Sequence, residues 1–423
     1  MPRGLGRGAA WMALSYFGRF GIQGATFVLV ARALGATGFG AFVAALALVS
    51  VLAPFAALGA GNLLVMHLAR EPESFSRRWG SVLLTVPLAG VPLTLLAAGG
   101  GALLLPHVPM TLILALALAE LFFARIAELC SQAFQGLERM RPTALVGALP
   151  SAFRLGAAAA FALAAGGRGP VTWGVAYLAA STLAALLAFV VVTLALGRPR
   201  LDRALVRDNL RRGAWFALAQ SSANIYTDID KTLLARLGTL PAAGIYAVAY
   251  RATALAFVPV TGLLAATYAR FFRRGAEGIR GSRRLARELM PFACLYGAAA
   301  GIGLYAIAPA LPHLFGRDFS EATGVLRWLA PLPLIQAVFY LGGDALTGAG
   351  YQRSRTALQA VAAVLNVGLC LWLIPAHSWR GAAWATLGSL GFLAAAMWAA
   401  VFVISTRRAD RANARPRLAS VQT

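Results

Sequence analysis

Charge is scarce in this chain, and most of it has one sign. Only 13% of the residues are Asp, Glu, Lys or Arg, against 59% hydrophobic, a balance unlike that of water-soluble domains. Fifteen acidic residues face 38 basic ones, and Lys231 is the only lysine. A Gly-x-x-x-x-Gly-Lys-Ser/Thr loop needs a lysine that Lys231, in DIDKTL, does not supply, so ATP hydrolysis by a phosphate-binding loop is excluded. Cysteine is equally sparse. Cys130, Cys294 and Cys370 are scattered through apolar runs without a CxxC pair and read as small core residues. His67, His107, His313 and His377 have no carboxylate or cysteine at ligand spacing, so neither a metal nor a cofactor is expected. The segments between apolar runs are short on one side as well. The longest on one side, 316–323, is too small for a catalytic domain, and the chain does not read as an enzyme.

What fills the chain instead is hydrocarbon. Twelve apolar runs of about 20 residues, the length that spans a bilayer as helix, occupy 11–34, 39–58, 79–105, 110–134, 143–165 and 171–196 in the first half. The second half contributes 213–237, 242–269, 289–315, 324–347, 357–374 and 381–404. The first run carries Arg19, Gln23 and Arg32 and leads straight into the second, so it reads as a retained helix rather than a cleaved signal.

The net charge of +23 invites a nucleic-acid reading, but the arginines are distributed otherwise. Of the 38 basic residues, 27 fall in alternate segments, and the intervening loops hold only Arg168, Arg317 and Arg380. This is the positive-inside asymmetry, and it sets both termini in the cytoplasm. The basic segments face membrane lipids with anionic headgroups. No nucleic-acid partner is expected.

One motif occurs twice. ARALGATGFGAF at 31–42 returns 204 residues later as ARLGTLPAAGIY at 235–246, each reading Ala-Arg, Leu-Gly, a short turn and Gly-x-aromatic. The basic loops that follow also echo, Ala69-Arg70 against Ala269-Arg270 and Arg77-Arg78 against Arg283-Arg284. The expected fold is an all-α integral membrane protein: twelve helices in two parallel-repeat six-helix bundles around a central cavity. The expected divisions are an N-terminal bundle at 1–196, a basic cytoplasmic linker at 197–212, a C-terminal bundle at 213–404 and a basic tail at 405–423. Gly18, Gly21 and Gly24, and the GxxxG pair Gly297 and Gly301, predict close helix packing. Pro54, Pro87, Pro92, Pro259 and Pro331 are candidate kinks.

Ionisable residues inside apolar runs are costly and mark function by default. Arg19, Arg125, Arg154 and Arg251 are the candidate substrate-binding residues, because guanidinium stays charged and grips phosphate with two donors. Glu120, Asp228, Asp230 and Lys231 are the candidate coupling or charge-pairing residues. Arg125–Glu128 and Asp228–Lys231 stand at i,i+3 spacing and suit mutual neutralisation equally well. A partner such as Glu120 or Asp230 would neutralise one or two of the remaining arginines, leaving a positive cavity for an anionic ligand. Arg32, Arg236 and Arg327 lie near run ends and read as interface anchors.

The stretch ARALGATGFGAFVAALALVSVLAPFAALG with the basic loop after it, and NIYTDIDKTLLARLGTLPAAGIYAVAYRATALAFVPV in the second half, resemble the polysaccharide transporter family. These are the lipid-linked oligosaccharide flippases of the multidrug/oligosaccharidyl-lipid/polysaccharide exporter superfamily. Asp230, Leu237-Gly238 and Gly244–Tyr246 occupy that family's acidic residue, turn and Gly-Ile-Tyr. The resemblance implies a V-shaped pair of bundles in the bacterial inner membrane. It also implies export of an undecaprenyl-diphosphate-linked anionic oligosaccharide by alternating access. A polysaccharide polymerase and chain-length proteins are candidate partners. A cation-coupled multidrug exporter of the same superfamily is the alternative, disfavoured by the excess of arginine at mid-depth.

Overall fold

In hydrocarbon a backbone must satisfy its own hydrogen bonds, and helix is the local way to do so. The computed structural model describes residues 3–164, 169–276 and 278–413, and among them there is no strand. The first half holds α1 (Arg3–Ala57), α2 (Ala60–Leu68), α3 (Phe75–Leu104), α4 (Met110–Leu118), α5 (Ala124–Gly136), α6 (Met140–Leu163) and α7 (Pro170–Leu196). The second holds α8 (Arg203–Leu237), α9 (Leu240–Gly275), α10 (Ile279–Ile307), α11 (Leu311–Phe315), α12 (Ala322–Leu329), α13 (Leu332–Gly348), α14 (Gln352–His377) and α15 (Trp379–Asn413). Nine helices among the described residues are long and apolar enough to cross a bilayer, or ten if the bent α12–α13 pair counts as one. The chain is a multi-pass membrane protein.

Local chemistry explains the breaks. α1 is interrupted at Gly35, whose φ of 64° and ψ of 178° leave the helical region, a conformation glycine adopts without a Cβ penalty. Pro331, lacking an N–H to donate, stands where α12 and α13 meet at 45°. Pro54 likewise cannot donate to the Ser50 carbonyl one turn earlier, and Asn224 of α8 supplies that bond from its side-chain amide at 2.7 Å. Ser221 donates to the Val51 carbonyl at 2.8 Å and Thr232 to the Ala44 carbonyl at 2.9 Å. Three polar rungs thus join α8 to α1 across the two halves. α8 itself begins at Arg203, so helix extends back into the basic connector, and Arg200 donates its backbone N–H to the Ser76 carbonyl at 2.7 Å.

The apolar core has three parts. One unites both halves at the Gly35 end, running from Val30 through Ala56 and continuing in Leu233–Ala249, Leu304–Ala330 and Ile374. Phe27 and Phe39 meet Phe315 and Phe319 there, edge to face. The other two parts lie apart, one around Trp79 and Phe134 in the first half and one around Phe271 and Phe339 in the second. The halves are therefore fused at one end and separate toward the other, and a cavity opens between them.

Glycine decides two contacts. A Cβ on Gly301 would stand 2.6 Å from the Ala330 carbonyl oxygen and one on Gly297 2.8 Å from Leu334 Cα, so the GxxxG pair packs α10 onto the α12–α13 break as expected. The Gly18, Gly21 and Gly24 row does not behave so. A Cβ on any of them would meet nothing within 4 Å, because these residues precede Val30, where the shared core begins.

Candidate functional site

The space between the halves forms two chambers that share Leu46, Ser50 and Glu120. The first, about 410 Å³, lies toward the fused end and is walled by Phe27, Phe39, Phe42, Trp173 and Tyr177. Into it reach Glu120, Arg154, Asp228, Lys231 and Arg251. The second, about 860 Å³, lies toward the separated end and is lined largely by amides and phenols, among them Asn62, Gln132, Asn224, Tyr226, Tyr340 and Gln359. Arg125, Glu128 and Arg355 are its charges besides the shared Glu120.

Glu120 sits where the chambers meet, in a π-helical turn, Ala119–Phe123, between α4 and α5. The wider turn rotates the residues after it and leaves Glu120 facing α6 and α7. Its Oε1 accepts from Arg154 Nη2 and from the Tyr177 hydroxyl, each at 2.6 Å. Arg154 also donates to Ser181 at 3.2 Å and lies 4.2 Å above the Tyr177 ring. The other carboxylate oxygen stands 4.0 Å from Arg125, which pairs at 2.6 Å with Glu128. One carboxylate thus holds two of the predicted arginines, one toward each chamber.

On the opposite wall, Lys231 Nζ lies 2.8 Å from Asp228 and 3.4 Å from Asp230. Asp228 borders the cavity while Asp230 is fully buried behind it, as their two-residue offset predicts. Asp230 also accepts from the Tyr246 hydroxyl at 2.7 Å and from Thr386 at 3.2 Å. Burying this carboxylate is tolerable because each oxygen is bonded. Lys231 in addition caps the Tyr250 ring at 4.2 Å.

Arg251 is different. It donates to the Gln23 side-chain oxygen at 3.0 Å, no carboxylate among the described residues lies within ion-pair distance, and its buried Nε has no partner. Arg19 stands apart from both chambers, exposed beside Gly147 of α6. Of the four predicted arginines, three therefore border the cavity, and one of these, Arg251, has no ion pair among the described residues, Asp228 acting on it only across the chamber.

Several residues at the site escaped sequence reasoning. Arg355 reads as a loop charge beside Arg353, yet it lies one turn into α14, bonded to Asp344 at 3.0 Å and to Thr347 at 2.9 Å. Tyr177, Ser181 and Thr386 carry no charge, and hydroxyls inside apolar runs are too common to single out. Arg32 does more than anchor: it donates to the His313 carbonyl at 3.0 Å and bridges the halves at the fused end.

A family described as "Polysaccharide biosynthesis protein" matches residues 5–274. The chain belongs to that family. The match covers α1 to α9, and so includes most of the residues that line both chambers. No curated protein matches the chain significantly. Among solved structures, an inward-facing multidrug-resistance MATE transporter of the MOP superfamily is 17% identical over 94% of this chain and 96% of its own, with a TM-score of 0.75. The lipid II flippase MurJ, inward closed, is 13% identical over 92% and 87%, also at 0.75. An outward-facing MATE transporter of the same superfamily is 15% identical over 95% and 96%, at 0.60. These likenesses define the fold.

Proposed function

We propose that the protein is a flippase that carries undecaprenyl-diphosphate-linked oligosaccharide repeat units from the cytoplasmic to the outer face of a bacterial inner membrane by alternating access. Taking α1 as two crossings, α8 as one and the bent α12–α13 pair as one gives twelve spans. The basic segments then lie in the cytoplasm, and the cavity opens toward it. The better superposition on inward-facing than on outward-facing relatives supports that orientation of the opening.

The observation that carries the reading is Arg251. A guanidinium held in a membrane cavity by one amide, with Asp228 of the same chamber acting on it from beyond ion-pair distance and already paired with Lys231, favours an anion. A diphosphate drawn to Arg251 also competes with Glu120 for Arg154, 2.6 Å away from that carboxylate. When the ligand leaves, Glu120 takes Arg154 back and resets the site. The amide- and tyrosine-lined second chamber accommodates the sugars, and the lipid tail stays in the bilayer. Asp228, Asp230 and Lys231 serve coupling to an ion gradient. Polymerase and chain-length proteins act on the product outside.

The test is genetic. Deleting the gene should accumulate the lipid-linked intermediate in the cytoplasmic leaflet, with surface polysaccharide restored by the wild-type gene and not by Arg251→Gln expressed at the same level. Normal polysaccharide in the deletion strain rejects the proposal.

A further inference from the structure

Away from the central cavity, α10 and α15 enclose a pocket of about 400 Å³ lined by Arg283, Arg287, Trp398, Ala399, Val401 and Phe402. It shares no residue with either chamber. Its level in the membrane follows from the two spans that make it. Arg283 lies one turn into the span Ile279–Phe315, and Ser405 lies at the end of Trp379–Thr406.

The charges here are left open. Arg283 donates to the Ser405 hydroxyl at 2.7 Å and stands 5.2 Å from the centre of the Phe402 ring. The nearby Glu288 pairs instead with Arg274 at 3.9 Å and Arg284 at 3.4 Å. No carboxylate among the described residues lies within ion-pair distance of Arg283 or Arg287. Trp398 is anchored by donating its ring N–H to the Val338 carbonyl at 2.9 Å. Phe402 and Val403 are exposed at the level of Arg283, and deeper along α10 Phe292 and Leu295 turn an apolar surface outward.

Two guanidinium groups without a carboxylate partner and a hydroxyl near the span ends, with a tryptophan about two turns deeper and an exposed hydrocarbon face, match a lipid with a phosphate head and acyl chains. We infer that this pocket binds an anionic phospholipid of the surrounding bilayer, its phosphate held between Arg283 and Arg287 and its chains along Phe402 and Leu295. The assignment does not depend on the transport reading. It concerns a surface outside the cavity and is tested by lipid retention, without any transport measurement.

The experiment is native mass spectrometry of the full chain in detergent with phosphatidylglycerol or phosphatidylcholine added. Wild-type protein should retain phosphatidylglycerol in preference to phosphatidylcholine. Arg283→Gln/Arg287→Gln should lose that preference by about 25-fold, at about fivefold per guanidinium, while Arg280→Gln/Arg284→Gln keeps it. An unchanged lipid-free melting temperature shows that the double variant is folded. Millimolar inorganic phosphate should not displace the lipid, because it lacks the chains. Equal loss in both double variants, equal retention of phosphatidylcholine, or displacement by inorganic phosphate would each overturn the inference.

Discussion

Gly40 and Gly244 meet where α1 crosses α9, and each holds the same place in one copy of the repeated Gly-x-aromatic motif. A Cβ on Gly244 would lie 3.0 Å from the Gly40 nitrogen, and one on Gly40 would fall onto the Leu240 carbonyl oxygen. The repeat is therefore more than a trace of duplication. Its two copies touch each other and close the fused end of the cavity, with Arg32, Phe27 and Phe39 completing the seal against the segment 313–319.

A methyl group at this crossing should hold the halves apart. Gly40→Ala is expected to disfavour the closed end by about 1–3 kcal/mol, a shift in population of roughly 5- to 150-fold. In a variant lacking Cys130, Cys294 and Cys370, a Thr26→Cys probe lines the first chamber. Its labelling by a membrane-impermeant maleimide from the Gly35 side should rise when Gly40→Ala is added.

The Glu120–Arg154 pair predicts strong coupling. Glu120→Gln keeps an acceptor oxygen but removes the charge opposite the buried Arg154, and should lower thermal stability in detergent by about 1–3 kcal/mol. Arg154→Gln should do likewise. The double variant should lose less than the sum, with a coupling of about 0.5–3 kcal/mol. Strict additivity would show that the 2.6 Å contact contributes nothing.

Lys231 faces a harder constraint, because Asp230 is fully buried beside it. Lys231→Met strands that carboxylate and should cost about 3–5 kcal/mol. Adding Asp230→Asn should recover much of the loss, measured as the melting temperature of the purified protein.

How much of this was legible in the sequence follows from range. The i,i+3 pairs Arg125–Glu128 and Asp228–Lys231 and the different surroundings of Asp228 and Asp230 are consequences of helical period, and all are present; the twelve apolar runs stand against nine or ten membrane-crossing helices among the described residues. Contacts between distant helices were open. The choice of Glu120 as partner of Arg154 depends on a π-helical turn that no local pattern announces. Arg355 was hidden because its run ends in charge, and only the placement of α14 against α13 turns it to Asp344. The Gly18–Gly21–Gly24 spacing predicts packing and finds open space, since small residues permit close approach without supplying a neighbour.

That last contrast can be measured. Gly24→Ala adds a methyl group into open space within helix and should stabilise by about 0.4–1 kcal/mol. Gly301→Ala drives the same methyl group to 2.6 Å from the Ala330 carbonyl and should destabilise. Paired melting curves in one detergent decide the signs.

The central claim is that Arg251 receives the phosphate of a lipid-linked oligosaccharide during its passage across the bilayer. The direct measurement is flipping in proteoliposomes loaded with labelled undecaprenyl-diphosphate oligosaccharide, read as the fraction of sugar that becomes accessible to a glycosidase on the other side. Wild-type protein should flip the lipid, and Arg251→Gln should slow it about tenfold or more, as loss of a charge-assisted hydrogen bond requires. Flipping by Arg251→Gln at the wild-type rate, or none by the wild-type protein, would contradict the account.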